Sequence, residues 1–322
     1  MASSRNKPST EAVERAVEEC LSGLPRGASV AVALSGGLDS SVLLALCSRH
    51  RADYDVRLSA IHVHHGLSPN ANAWADFCRT SCERLNIPFE LVCVSVPRAT
   101  GEGLEAAARR LRYQALEANT ADYVLLAHHA NDQAETLLFN LMRGTGVRGA
   151  AGIPAVTGIG GRYLRPLLTS TRADLEACAS LLALRWVDDE SNDDRSLSRN
   201  YIRHEIIPVL EARFPAAVES LARAAEHFAE AQEMLDEMAC HDLAGNSSFP
   251  VSVALLQGLS EARARNVLRY LLTMRDLQAP SSKRLKEVLR QFITAAPDRH
   301  PCLDLPSYRL FRRKGWVEIE LR

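Results

Sequence analysis

At 322 residues the chain is longer than one hydrophobic core usually fills, so two domains are expected and three would fit. Hydrophobic residues make up 47%, charged residues 24%, and the net charge is −1, which describes a soluble globular protein whose bulk charge advertises no polyanionic partner. Residues 1–20 lack the apolar core of a signal peptide, and no run approaches the roughly 20 apolar residues that span a bilayer, so a cytoplasmic protein without a membrane partner is expected.

The 8 cysteines form no framework: the closest pair, Cys78 and Cys82, is separated by three residues and suits neither a Cys-x-x-Cys redox site nor a zinc ribbon. They read as reduced, buried small hydrophobes. Charge is unevenly spread, since residues 261–322 hold 14 Lys/Arg against 7 Asp/Glu. The tail is basic and the remainder acidic.

In chain order, 29–34 is a β-type run, 41–50 is apolar at helical spacing, 56–64 is a second strand, 73–85 a helix and 89–96 a third strand. Leu104, Ala107, Ala108, Leu111 and Ala115 mark a helix face, 123–127 a fourth strand, and Ala134, Leu137, Leu138, Leu141 and Met142 another helical stripe. This alternation predicts an α/β domain with a parallel sheet covered on both faces and ligands at the carboxyl ends of the strands. Residues 144–161 read as a glycine-rich loop, with a strand near Tyr163 and Leu164. Helices are expected over 172–183 and 200–210, on either side of a polar stretch at 188–198. A long amphipathic helix over 215–240 would lead to a second domain. There, 252–272 and 281–292 read as helices, and 302–305, 308–313 and 317–321 as strands. The division expected is 1–213 for the catalytic domain, 214–245 for the connecting helix and 246–322 for a small basic α+β domain.

Between the first strand and first helix lies Ser35-Gly36-Gly37-Leu38-Asp39-Ser40. Two glycines permit a tight turn and close approach to a phosphate, and the helix start offers free N–H groups. Ser35, Ser40 and Ser41 add hydroxyls. Asp39 beside phosphates implies a bridging divalent cation and reads as a Mg²⁺-associated carboxylate. There is no Gly-Lys-Ser/Thr or Gly-x-Gly-x-x-Gly, so the loop is neither Walker A nor dinucleotide type. The bland alternative is a strand-to-helix turn capped by Ser or Asp.

The hexapeptide resembles the Ser-Gly-Gly-x-Asp-Ser signature of the PP-loop ATP pyrophosphatases, which cut ATP between the α and β phosphates. Further segments resemble the tRNA(Ile)-lysidine synthetase family within that superfamily. His62-Val63-His64-His65-Gly66-Leu67 is similar to the family's stretch after its second strand, which passes near the adenine; Ser68 stands where the family often has Arg. On spacing alone, Glu105, Arg109 and Arg112 could be a solvated salt-bridge face. The segment 105–113 nevertheless resembles Glu-Ala-Ala-Arg-x-x-Arg-Tyr, which makes Arg109 and Arg112 candidates for phosphate or tRNA.

His128-His129-Ala130-Asn131-Asp132-Gln133-Ala134-Glu135-Thr136 begins at a strand's carboxyl end, where Asn131 or Asp132 could serve as N-cap. It resembles His-x-x-Asp-Asp-Gln-x-Glu-Thr, with Asn131 in place of the first Asp. Asp189-Glu190-Ser191-Asn192, then Arg199-Asn200-Tyr201-Ile202-Arg203, resembles the family's Asp-x-Ser-Asn…Arg-Asn-x-x-Arg block.

The resemblance implies an adenine nucleotide alpha hydrolase-like fold and a ligase. ATP adenylates the wobble cytidine of a CAU-anticodon tRNA(Ile), and L-lysine then displaces AMP to leave lysidine. ATP and pyrophosphate would lie on Ser35, Gly36, Gly37, Leu38, Asp39, Ser40 and His62, with Mg²⁺ on Asp39. Asp39, Arg112 and Asp132 would be catalytic. Lysine and tRNA would meet Arg109, His129, Asp132, Glu135, Asp189, Asn192, Asn200 and Arg203. A homodimer is compatible with this reading.

Overall fold

The computed structural model describes residues 9–97, 103–190, 194–296 and 298–322. Asn192 and the side chain of Glu105, both singled out above, lie outside the described residues. Helix α1 (Thr10–Ser22) comes first, capped by Ser9, whose Oγ accepts from Ala12 N at 3.2 Å. The sequence pattern of residues 1–20 marks no helix here. Its apolar stripe is only Val13, Val17 and Leu21, one residue per turn among charges, and all three are fully buried.

Alternating elements follow: β1 (Ser29–Ala33), α2 (Leu38–His50), β2 (Arg57–His64), α3 (Ala71–Arg84), β3 (Phe89–Cys93), α4 (Leu104–Ala118), β4 (Tyr123–Leu125) and α5 (Ala130–Met142). After them come α6 (Val147–Ala150), β5 (Val156–Thr157), β6 (Tyr163–Leu164), α7 (Arg172–Leu181) and α8 (Ser198–Tyr201). A π-helical turn, Ile202–Ile206, leads into α9 (Ile207–Arg213).

Among the described residues the sheet order is β3-β2-β1-β4-β6-β5. The pairs β1–β2, β2–β3, β1–β4 and β4–β6 are parallel, as the alternation predicts. The edge strand β5 departs from this and runs antiparallel to β6. The reason is length. Five residues separate the two strands, enough for a hairpin but not for the crossover of a dozen or more that a parallel pair requires. Alternation along β1 splits the core: Val30 and Val32 pack with α1, α2 and α7, while Ala31 packs with Ile61, Leu116 and Val124 on the other face.

The order of strands reverses at β1, with β2 on one side and β4 on the other. Connections leaving adjacent strands in opposite directions open a crevice at their carboxyl ends. The loop 34–37 leaves β1 there, and residues 126–129 leave β4 there.

The chain forms two compact units, 1–229 and 230–322, with the cut inside α10 (Ala217–Asp242). The second unit contains β7 (Val251–Ser252), α11 (Val253–Gly258), α12 (Glu261–Thr273), α13 (Ser282–Thr294), β8 (Cys302–Asp304), β9 (Tyr308–Arg313) and β10 (Trp316–Leu321). Its sheet, in the order β7-β10-β9-β8, is antiparallel throughout and packs with Leu268, Leu271, Leu285 and Phe292 in one core. The single helix expected over 252–272 is two helices preceded by a strand. Ser260 caps the second, its Oγ accepting from Arg263 N at 3.4 Å. Val253, Leu256, Ala264, Val267 and Leu271 are all buried at nearly helical spacing, so the pattern ran through the break unmarked.

Candidate active site at the sheet switch point

The loop after β1 is held by its own serines. Gly37 N donates to Ser35 Oγ (3.2 Å), Ser35 N donates to Ser40 Oγ (3.2 Å), and Ser40 Oγ donates to Gly37 O (3.1 Å). With its proton on that carbonyl, Ser40 receives the Ser35 hydroxyl, 3.0 Å away. Gly36 has φ +90°, and a Cβ there would stand 3.0 Å from Val187 Cγ2 and 3.1 Å from Cys78 Sγ. Glycine is therefore required by both conformation and space. Its carbonyl accepts from Val187 N at 3.0 Å, which ties the segment leading to Asp188 and Asp189 beside the loop. No side chain caps α2 at Gly37, so its first-turn N–H groups remain for an anion.

Asp39 is in the first turn of α2, with its side chain 27% exposed. Both its oxygens accept from Arg172 NH1, at 2.9 and 3.2 Å. The sequence reading did not single out Arg172. A signal existed: it occupies the first position of α7, where the helix dipole disfavours a cation. A carboxylate beside a phosphate loop is the kind of ligand Mg²⁺ takes, usually one or two together with substrate phosphates.

The start of α5 faces Asp39. His129, and not Asn131 or Asp132, is the N-cap. Its Nδ1 accepts from Asn131 N (3.3 Å), and its own N–H donates to Asp132 Oδ2 (2.9 Å), closing a capping box. An imidazole nitrogen thus does what an Asn or Asp oxygen does at other helix starts. With Nδ1 accepting, the ring proton is on Nε2, which stands 3.7 Å from both Asp39 Oδ2 and Asp132 Oδ2. Asn131 Oδ1 accepts from Arg172 N at 2.9 Å.

One turn along, Glu135 is almost enclosed, its side chain 4% exposed. Arg203 grips it with Nε at 2.6 Å and NH2 at 3.1 Å, and NH2 also reaches Asp132 Oδ1 at 3.4 Å. Arg203 lies in the π turn, a form that recurs at functional sites. Pro208, two residues past the turn, has no N–H for a regular helical bond. Burial pushes Asp132 upward, but His129, His128, the backbone bond and Arg203 together hold it below the ordinary carboxylate range. In Glu135 burial wins over the Arg203 bonds and raises it.

His128 accepts at Nδ1 from Arg165 Nε at 3.3 Å. Burial, helped by Arg165, Arg112 and Arg109 and opposed by Asp132, lowers its pKa to about 4, so it is neutral. Arg109 and Arg112 lie over the Tyr113 ring, 5.4 and 5.7 Å from its centroid. Burial lowers the Arg112 guanidinium. His65, also lowered by burial and Arg112, has a buried Nδ1 without a partner. His62 is buried with Nδ1 2.7 Å from Leu34 O, just ahead of the phosphate loop.

One cluster therefore gathers Asp39 of the loop with His129, Asp132, Glu135 and Arg203, and Arg109 and Arg112 act electrostatically on the neighbouring His128. Asn200 is buried, its Nδ2 donating to Asp194 O at 3.0 Å. Among the described residues three metal-type side chains converge only at Glu14, Glu18 and His50, at the opposite end of α2. No helix of the described residues is long and apolar enough to cross a membrane.

A parallel sheet with a Ser-Gly-Gly-Leu-Asp-Ser loop at its switch point defines a PP-loop ATP-using protein, and the model of the PP-loop domain matches residues 9–210. A second model, the TilS substrate binding domain, matches residues 252–317. The tRNA(Ile)-lysidine synthase of Aromatoleum aromaticum is 45% identical over 89% of this chain and 68% of its own. That of Alkalilimnicola ehrlichii is 44% identical over 96% and 71%, and that of Nitrosomonas europaea 41% over 91% and 65%. The chain belongs to the tRNA(Ile)-lysidine synthase family, and it spans about two thirds of the length of these relatives. Among solved structures, the U34-tRNA thiolase NcsA from Methanococcus maripaludis, with its [4Fe-4S] cluster, shares the fold. Its TM-score is 0.56 at 21% identity, covering 68% of this chain and 78% of that one.

Proposed function

We propose that the chain is a carbon–nitrogen ligase that converts the wobble cytidine of a CAU-anticodon tRNA(Ile) to lysidine, using ATP and L-lysine. The observation that carries this reading is the proximity of the two sides: the phosphate-loop carboxylate Asp39 and Asp132 both lie 3.7 Å from His129 Nε2, and Arg203 joins Asp132 to Glu135. Chemistry on ATP and recognition of a cation can then share one crevice.

In the first step the cytidine C2 oxygen attacks the α-phosphorus, the bond to the β-phosphate oxygen breaks, and pyrophosphate leaves. Charge growing on that leaving group is met by the uncapped N–H groups at the start of α2, presented by a turn that Ser35, Gly37 and Ser40 hold in shape. Mg²⁺, held by Asp39 and the phosphates, would neutralise the same charge. In the second step the lysine amine, having lost a proton, attacks C2 and AMP departs with the shared oxygen. Asp132, ionised in its setting, suits a cationic substrate. Arg203 aims Asp132 and Glu135, and the His129 ring lies between Asp39 and Asp132 with its Nε2 3.7 Å from each. Arg109 and Arg112 would meet phosphate or RNA backbone. The base must be splayed from the anticodon loop to enter.

Transfer of radiolabelled L-lysine into acid-precipitable CAU-anticodon tRNA(Ile), with and without ATP, tests the reading. ATP-dependent label that Asp39→Ala abolishes is expected. Folded protein that binds ATP but transfers no label would overturn the lysine assignment.

A further inference from the structure

Arg172 enters neither the proposed chemistry nor any motif that placed the chain in its family, yet it sits where two helix starts meet. The N-terminus of α7 is stitched to that of α5 by two bonds, Ala130 N to Ser170 O at 2.8 Å and Arg172 N to Asn131 Oδ1 at 2.9 Å. The first N–H of a helix has no partner within it, so the Asn131 amide both satisfies that donor and fixes the point from which the Arg172 side chain departs. From there NH1 spans both oxygens of Asp39, and Nε takes Glu176 at 3.1 Å. Capping of α7 does not need Asn131, because Thr171 and Asp174 form a complete capping box. A cation at the first helical position runs against the dipole, and its side chain reaches across to the phosphate loop instead of shielding its own helix.

We propose that Arg172 is a positioning residue of the pyrophosphate site, holding the Asp39 carboxylate in the phosphate loop, and that Asn131 acts through it by aiming its backbone. Asn131 does this as a neutral amide. It accepts the Arg172 N–H without adding a carboxylate that would compete with Asp39 for the guanidinium. The proposal rests on the ATP-using reading of the site.

The test is a double-mutant cycle on the full chain with Arg172→Ala, Asn131→Ala and the pair, reading KM for ATP, the inhibition constant of pyrophosphate, KM for L-lysine and thermal stability. Arg172→Ala is expected to raise KM for ATP and weaken pyrophosphate inhibition by about tenfold or more, with KM for L-lysine unchanged. Arg172→Lys should recover part of the loss. Asn131→Ala should weaken both ATP readouts several-fold in the parent and change nothing further in the Arg172→Ala background. Additive losses in the cycle, equal rises in both KM values, or a fall in thermal stability with ATP readouts intact would overturn the proposal. Its failure is distinct from that of the ligase reading, which falls if the parent protein itself transfers no lysine.

Discussion

Replacing Arg203 with alanine removes the guanidinium that grips Glu135 through two bonds, at 2.6 and 3.1 Å, and touches Asp132 at 3.4 Å. The Glu135 side chain is only 4% exposed, so water cannot take the place of the lost partner. Truncating one member of a buried pair costs about 3–5 kcal/mol. Arg203 itself is 36% exposed, and solvent screening on that side brings the expectation down to roughly 2–3 kcal/mol. The stranded carboxylate can escape by taking a proton, and burial already raises its pKa above the ordinary 4.5. A carboxyl whose folded pKa lies above its unfolded one contributes fully below the unfolded value and loses that contribution as pH rises through the folded value. The loss in Arg203→Ala should therefore be small near pH 4.5 and grow toward about pH 8. Urea denaturation at both ends, followed by far-UV circular dichroism, measures it. Adding Glu135→Gln should recover stability at the alkaline end. Equal losses at both pH values, or a double variant no more stable than Arg203→Ala, would refute the reasoning.

Gly36→Ala forces a left-handed backbone on a residue whose Cβ would press on Val187 and Cys78; about 1–3 kcal/mol of stability and much of the ATP affinity should be lost, as thermal melting and KM for ATP would report. Glu14 is lowered from 4.5, chiefly by its hydrogen bond to His50, with burial opposing and Arg49 assisting. Its contribution is present above 4.5 and lost as pH falls through the lower folded value, so Glu14→Gln should flatten the acid limb of the stability profile. Cys93 and Cys302 are exposed, whereas Cys78 is buried and pushed up to about 12. A thiol reagent should label the first two quickly in native protein and reach Cys78 only on unfolding; rapid native labelling of Cys78 would contradict the packing around Gly36.

Much of the first unit was legible because its signals are local. β1, α2, β2, α3, β3, α4, β4 and α5 each announce themselves by period, and a Ser-Gly-Gly turn between strand and helix has few uses. Helix α1 escaped because three buried residues among charges give a weak stripe, and the break at Ser260 escaped because apolar spacing continues across it. The N-cap of α5 was misassigned because a histidine side chain imitates an Asx cap only once its ring orientation is known. Arg172 was invisible as a site residue: it is 133 positions from Asp39, and only the stitching of α5 to α7 brings them together.

By itself the sequence determined the strand–helix order that puts loops at one edge of a sheet, and it supplied candidates for chemistry: the phosphate loop, the acidic pair Asp132 and Glu135, and the arginines at 109, 112 and 203. These follow from residue type, short spacing and backbone periodicity, which are set within a few turns of chain. Tertiary structure alone decided their pairing and charge: Arg172 on Asp39, Arg203 on Glu135, the proton of His129 on Nε2, His128 neutral, Asp132 lowered and Glu135 raised. Each of those depends on burial and on partners far away in the chain, because the free energy of a charge is set by what surrounds it in space and not by its neighbours in sequence.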